Sequence, residues 1–356
     1  TCGTGGEDAI ETKFNLEVQD TLIVSEDFRF VFGGAVNQQK LESKTFVNGT
    51  VDIWGGYLFG NAEYRTGDFV INLGALVEDE ERHLDEPEVS PRLGINYRLS
   101  PATTLRYAVS RAVRVPDILE MERDWSYYLT GLTPAVNGET ELPFFHRAFA
   151  DTDLKPEEIV SHEIGIYGHH GKAFSGGGSS DFRYDLKVFY DELTDLISEK
   201  LQFFDYNPSN NTKNTLQGFE FEIDYSLKGD VLPKPMTELN LHANYGYLDS
   251  ETNNFFERSL YARHTGAAYA IMKFENDYHV SLAYYGNSAI NTESFDGYEL
   301  GFGKAFDIGD DVLSIAAKAV YLPDKVNEFT VSETFNVQNN YDQTTSYFLT
   351  LEYSFR

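Results

Sequence analysis

The sequence predicts an all-β fold, a transmembrane antiparallel β-barrel, and three observations carry the prediction. Strand-length segments alternate apolar and polar residues along the chain, aromatic residues gather at the segment ends, and tight turns alternate with long polar links. The composition agrees. Among 356 residues there are 23 Tyr and 27 Phe, yet the mean hydropathy is −0.38 and 24% of residues are charged. A barrel with a lipid face and a wet interior requires that combination. No window approaches the ~18 consecutive apolar residues of a spanning helix. The nearest, residues 266–272, is short and interrupted by Tyr269. A chain that crosses a membrane without such helices crosses as strands, because every backbone group must find a partner away from water.

Fifteen strands are expected. The first six fall near 12–21, 28–40, 51–65, 69–82, 89–99 and 104–114. Polar links at 41–50 and 83–88 alternate with tight turns at Arg65-Thr66-Gly67-Asp68 and Ser100-Pro101-Ala102-Thr103, whose Gly and Pro suit sharp reversals. A long link, 115–157, leads to strands near 158–169 and 181–199. Between those two, Gly176-Gly177-Gly178-Ser179-Ser180 reads as a flexible linker. In the second of the pair, Phe182, Tyr184, Leu186, Val188 and Tyr190 face away from Arg183, Asp185, Lys187 and Asp191.

After a link at 200–214, the strand at 215–227 shows the cleanest alternation. Phe219, Phe221, Ile223, Tyr225 and Leu227 point one way, and Gly218, Glu220, Glu222, Asp224 and Ser226 the other. A turn from 228 to 235 contains Pro233 and Pro235. Then 237–249 sets Leu239, Leu241, Ala243, Tyr245 and Tyr247 against Glu238, Asn240, His242 and Asn244. The remaining strands lie near 262–274, 278–289, 296–306, 312–323 and 344–355. Tight turns at Glu275-Asn276-Asp277 and Asp307-Ile308-Gly309-Asp310 alternate there with links at 250–261, 290–295 and 324–343. The last strand carries Tyr347, Leu349, Leu351, Tyr353 and Phe355 on one face. Several strands reach ten residues or more, the length a tilted strand needs to cross a bilayer.

Short turns on one rim and long loops on the other match barrels whose short turns face the periplasm. That alternation puts Thr1 in an extracellular loop, and a count of fifteen is odd where single-chain bacterial barrels are even. Residues 1–356 are therefore expected to be the C-terminal part of a longer barrel. The segment Thr1-Cys2-Gly3-Thr4-Gly5-Gly6 carries no initiator Met, basic segment or apolar segment of a signal peptide. Cys2 is the only cysteine, which excludes an internal disulfide and paired-cysteine zinc sites, and it reads as an inert thiol in a loop. The net charge of −29 excludes a nucleic-acid partner, which would need a basic face.

Residues 89–119 contain Ser90-Pro91-Arg92-Leu93-Gly94, a short turn, then Thr104-Leu105-Arg106 with Arg111, Arg114 and Pro116. Asp153-Leu154-Lys155-Pro156-Glu157-Glu158 is followed by Ser161-His162-Glu163-Ile164-Gly165, and later by Gln217-Gly218-Phe219-Glu220-Phe221-Glu222. Together and in this order they resemble the mid-barrel hairpin and following strands of TonB-dependent outer-membrane receptors, and the likeness extends over nearly the whole chain. The resemblance implies a 22-strand barrel, with seven strands and a plug domain upstream of Thr1. It also implies the bacterial cell outer membrane as location, with lipid around the barrel. Its function would be energy-coupled import of a scarce ligand, a ferric siderophore or other small-molecule metal chelate, driven by a TonB-type transducer through an N-terminal segment. One departure stands out: Phe355 is followed by Arg356, whereas such barrels usually end on an aromatic residue.

The candidate ligand residues lie in the expected extracellular loops. They are Trp125, Tyr127, Tyr128, Phe144, Phe145, His146 and Arg147 in the 115–157 link, Arg114 and Arg123 near its start, and Phe203, Phe204 and Tyr206 in the next. Aromatic rings and guanidinium groups suit a flat, anionic or chelated ligand. Packing of the loop on itself over the barrel mouth is the plainer explanation for the same residues. The run Glu78-Asp79-Glu80-Glu81, with Asp85 and Glu86, invites Ca²⁺ but matches no EF-hand spacing and reads as a solvated loop. His169 and His170 are adjacent on a strand, so they face opposite ways and make no metal pair. Gly301-Phe302-Gly303-Lys304 lies inside a strand and lacks phosphate-loop spacing; its small residues relieve crowding. No cofactor motif and no catalytic constellation is present, so an enzyme is not expected. The rival reading is a passive porin; lumen-facing Glu220, Glu222, Asp224, Arg92, Arg98 and Arg106 suit lining water and holding a plug equally well.

Overall fold

The computed structural model describes residues 2–5, 8–149, 154–198, 208–254, 261–290, 293–323, 326–327, 340–341 and 344–355. Fifteen strands form one antiparallel sheet in strict chain order. They are β1 (Ile10–Ile23), β2 (Phe28–Ser43), β3 (Gly49–Thr66), β4 (Phe69–Glu80), β5 (Glu88–Ser100), β6 (Thr103–Arg114), β7 (Glu157–Ala173) and β8 (Ser179–Ser198). They continue as β9 (Ser209–Lys228), β10 (Met236–Thr252), β11 (His264–Phe274), β12 (Tyr278–Ile290), β13 (Glu293–Ile308), β14 (Asp311–Tyr321) and β15 (Thr345–Ser354). Every strand expected from periodicity is present, and the alternation translates into register. Arg183, Asp224, His242, Tyr269, Ala283 and Glu299 stand in one row across six strands, with Tyr184, Ile223, Ala243, Ala268, Tyr284 and Tyr298 in the next row on the opposite face.

The apolar face is uncovered. Leu58 is 69% exposed, Ile164 64% and Leu349 71%, with no layer of the described residues against them. The accessible surface is 22637 Å², against about 14,500 Å² for a compact protein of this mass. An apolar patch this large and this open is not the usual surface of a water-soluble monomer. A row of rings crosses it: Tyr284 and Tyr298 have centroids 5.3 Å apart, and Tyr298 and Tyr321 6.3 Å. Strands β8 and β9 run 20 residues each, about twice the length a tilted strand needs to cross a bilayer.

Tight turns fall where expected. Gly67 and Gly309 take φ of +57° and +65°, the left-handed conformation that only glycine adopts without strain. One expectation changes. The Gly-rich segment 176–180 is a closed hairpin turn, not a flexible linker. Phe174 N–H donates to Gly178 O at 3.0 Å, and a Cβ on Gly178 would lie 2.3 Å from Lys228 O. The glycines admit a neighbouring backbone there. Gly303 follows the expected logic, since a Cβ would meet the His279 ring at 2.2 Å.

The 115–157 link departs most from a plain loop. It holds a helical turn, α1 (Ile118–Met121), and a strand pair, Asp124–Thr133 with Leu142–Phe149. Cys2–Gly5 adds a third strand to that pair, with Cys2 opposite Thr133, so Cys2 lies on a strand where a loop was expected. Periodicity favoured a loop because Gly131, Pro134 and Gly138 interrupt the pattern and the strands are short.

Candidate functional site

The start of the 115–157 segment is pinned by Arg114 and α1. Asp117 caps the turn: its Oδ1 accepts from Glu120 N–H at 2.8 Å, while Glu120 Oε2 accepts from Asp117 N–H at 2.8 Å. This reciprocal box satisfies two helix-end donors. The same Glu120 carboxylate takes both prongs of Arg114, at 2.9 and 3.0 Å, and Arg114 Nε reaches Glu157 at 2.5 Å. Glu157 also accepts from Ile197 N–H at 2.6 Å. Arg114 thus ties the start of the segment to its end and to β8.

Below α1 lies a small dry core. Ile118 packs with Leu41, Val47, Val51 and Ile53, with Phe46 alongside. Leu41 and Ile53 belong by alternation to the polar face, whose outer end is therefore apolar here and receives the inward-folded segment. Arg82 pairs with Glu122 at 2.7 Å, Asp124 N–H donates to Phe46 O at 2.9 Å, and Asn48 Nδ2 donates to Asp124 Oδ2 at 3.2 Å. Arg123, a candidate ligand residue, is only 4% exposed within this packed region.

Beyond the pinned start, the strand pair brings the two aromatic runs together. Tyr127 stands opposite Phe145, Ser126 opposite His146, and Tyr128 opposite Pro143. Trp125, Tyr127 and Tyr128 therefore share one strand, and Phe144, Phe145, His146 and Arg147 the other. Tyr128 is exposed. Phe203, Phe204 and Tyr206 lie outside the described residues.

The polar face carries a row of charges under this rim. Arg106 makes a fork to Asp185 at 2.9 and 2.6 Å and approaches Glu163 at 3.3 Å, and Lys187 pairs with Glu220 at 2.8 Å. One row further, His242 Nδ1 lies 2.8 Å from Asp224 Oδ1, with Glu222 beside it. His169 contacts Asp181 at 2.5 Å on this face, while His170 stacks on Tyr184 on the other, which is the opposed arrangement expected of neighbours on a strand. The acidic run at 78–86 spends Glu80 on His83 at 2.7 Å. Among the described residues, the three-ligand grouping is Glu222, Asp224 and His242, not the acidic run. Sequence reading set all three on polar strand faces but did not join them. The signal was present: two carboxylates at i and i+2, and a His on the strand that follows.

The family model described as TonB dependent receptor-like, beta-barrel, matches residues 8–339. No curated protein sequence matches the chain. Among solved structures, a ferric enterobactin receptor (PfeA, from Pseudomonas aeruginosa) is similar at a TM-score of 0.67 and 14% identity, covering 97% of this chain and 54% of that one. The siderophore receptor PirA of Pseudomonas aeruginosa gives 0.63 and 12%, covering 88% and 54%. The hemophore receptor HasR of Serratia marcescens, solved with its hemophore HasA and heme, gives 0.63 and 11%, covering 88% and 56%. The chain spans about half the length of these solved receptors. At such identities the likeness shows the fold.

Proposed function

The chain belongs to the TonB-dependent receptor β-barrel family, and from that premise we propose that it forms the wall and ligand-capturing loops of an importer for an iron chelate. The family is one of outer-membrane barrels, and its members are receptors and transporters rather than enzymes. The solved relatives named above are receptors for ferric enterobactin, for a siderophore and for a heme-carrying hemophore. In this reading a TonB-type transducer supplies the energy through a segment outside residues 1–356, and outer-membrane lipid covers the apolar face.

The observation that carries the ligand class is the strand pair of the 115–157 segment, which sets Tyr127 opposite Phe145 within two aromatic runs. Rings of this kind stack on flat chelates, and the guanidinium of Arg147 suits their negative charge. Phe203, Phe204 and Tyr206 are proposed to extend the same surface. Arg114 and Arg123 would act beneath it, holding the loop start in place.

The test is a titration of the chain in outer-membrane vesicles with ferric catecholate and hydroxamate siderophores and with haem, following iron retained by the vesicles. At least one chelate is expected to bind with Kd near or below ~1 μM. Replacing residues 125–147 by a short Gly-Ser bridge is expected to abolish it. Absence of binding by every chelate, or binding that survives the replacement, defeats the proposal. A passive channel would instead conduct small ions steadily across a planar bilayer; the family match favours the receptor.

A further inference from the structure

We infer that Glu222, Asp224 and His242 form a binding site for a divalent transition-metal ion on the polar face of the β9–β10 hairpin. The inference does not rest on the import reading, since it concerns the wall and not the loops. Asp224 and His242 are directly paired across the two strands, and Glu222 stands two residues along the same face. Each offers a ligand atom, and the three atoms lie within 4.8 Å of one another.

The donor set selects the kind of ion. Two carboxylates and an imidazole suit a first-row divalent metal, whereas Ca²⁺ and Mg²⁺ prefer oxygen alone and Cu(I) prefers thiolate or thioether sulfur. The 2.8 Å edge between His242 Nδ1 and Asp224 Oδ1 would subtend roughly 85° at an ion bonded to both at ~2.1 Å, close to an octahedral edge. The face is partly open, so water can fill the remaining positions. The His242 ring is already held, lying against Tyr269 with centroids 4.7 Å apart and planes within 18°.

Charge points the same way. The neighbouring cations are committed elsewhere: Lys187 to Glu220 at 2.8 Å, Arg106 to Asp185 at 2.6 Å, and Arg183 to Asp181 at 3.1 Å. Among the described residues the Glu222 carboxylate has no hydrogen bond or ion pair, and it shares its face with Asp224. A divalent ion would neutralise both carboxylates at once.

The hydrogen bonds also fix what binding must change. Asn244 Oδ1 accepts from Ala267 N–H at 3.0 Å, so its Nδ2 is the group facing His242 Nε2 at 3.1 Å. Nε2 is then the acceptor, and Nδ1 carries the proton that it donates to Asp224. A neutral imidazole that binds a metal at Nδ1 must carry its one proton on Nε2 instead, a tautomer shift without net proton release, and there the Asn244 amide N–H is the wrong partner. Aspartate at 244 would serve Ala267 with one oxygen and Nε2–H with the other. A carboxylate behind a metal-bound imidazole strengthens the ligand.

The experiment is equilibrium dialysis of the purified full chain in detergent against Zn²⁺ alone at neutral pH, read by elemental analysis. Retention of a single equivalent is expected. Glu222→Gln and His242→Gln should each weaken it by about tenfold or more, Asn244→Asp should tighten it by about tenfold, and His169→Gln should leave it unchanged. Loss of affinity in the first two variants together with a gain in the third supports the site and separates it from misfolding. Zn²⁺ retention unaffected by Glu222→Gln and His242→Gln overturns it, as does an Asn244→Asp variant that binds no more tightly than the parent.

Discussion

Asn210 closes a two-bond ring with the backbone of Lys155. Its Oδ1 accepts from Lys155 N–H at 2.7 Å, and its Nδ2 donates to Lys155 O at 2.9 Å. The side-chain amide stands in for a strand partner, and Nδ2 also reaches Asp195 O at 2.5 Å. The end of the 115–157 segment is thereby sewn to β9 just before β7 begins.

Asn210→Ala should release that seam. Each lost bond is worth about 1 kcal/mol, so the expected cost is local, not global. Hydrogen exchange at Lys155 should quicken several-fold while β10 and β11 stay protected. Unchanged exchange at Lys155 would mean that the amide contributes nothing there.

Glu120→Ala removes the side-chain half of the capping box, leaving Asp117 Oδ1 on the residue-120 N–H, and removes the fork to Arg114. Loss of the bond from Asp117 N–H should cost about 1 kcal/mol, and Arg114 keeps only Glu157. Limited proteolysis is expected to cut between residues 115 and 124 in the variant and not in the parent, with β-sheet content by circular dichroism unaltered. Equal resistance to protease in both would remove Glu120 from the role given to it.

The two faces of β15 predict opposite tolerance to charge. Leu349→Arg places a cation on the lipid face, at a cost of about 2–4 kcal/mol near the bilayer midplane. Thr350→Arg, one residue on, places it on the polar face and should be nearly neutral. Urea titrations of the chain folded in vesicles read the difference directly. Similar penalties for both would contradict the assignment of faces.

Gly218→Val tests crowding within β9. A Cβ at Gly218 would lie 2.0 Å from Tyr247 O and 2.9 Å from the Phe189 ring. Backbone cannot step aside as a side chain can, so a loss of roughly 1–3 kcal/mol is expected. The midpoint of urea unfolding should fall, and a valine variant as stable as the parent would show that the strands can part there at no cost.

The wall was legible in the sequence because alternation is a property of one strand, as in Phe219, Glu220 and Phe221. The strand pair at 124–149 was not, since its short strands are broken by Gly131 and Pro134 and take their shape from pairing. The Glu222, Asp224 and His242 grouping was half legible. Facing could be read strand by strand, but bringing Asp224 beside His242 needs the offset between strands. That offset depends on a turn with two prolines, Pro233 and Pro235, whose geometry no spacing rule gave. Composition placed Trp125 to Tyr128 and Phe144 to Arg147 within one link, and Tyr127 stands opposite Phe145 through a register that composition does not encode.

The strict chain order of the fifteen-strand sheet separates evolution of recognition from evolution of the wall. Each hairpin closes only on its neighbours, so an insertion at an outer connection leaves every other strand pairing intact. Lengthening such a connection costs only about 0.6 kcal/mol for each doubling. A lineage could therefore exchange the 124–149 insert for another while the pairing of every strand in the wall stays as it is.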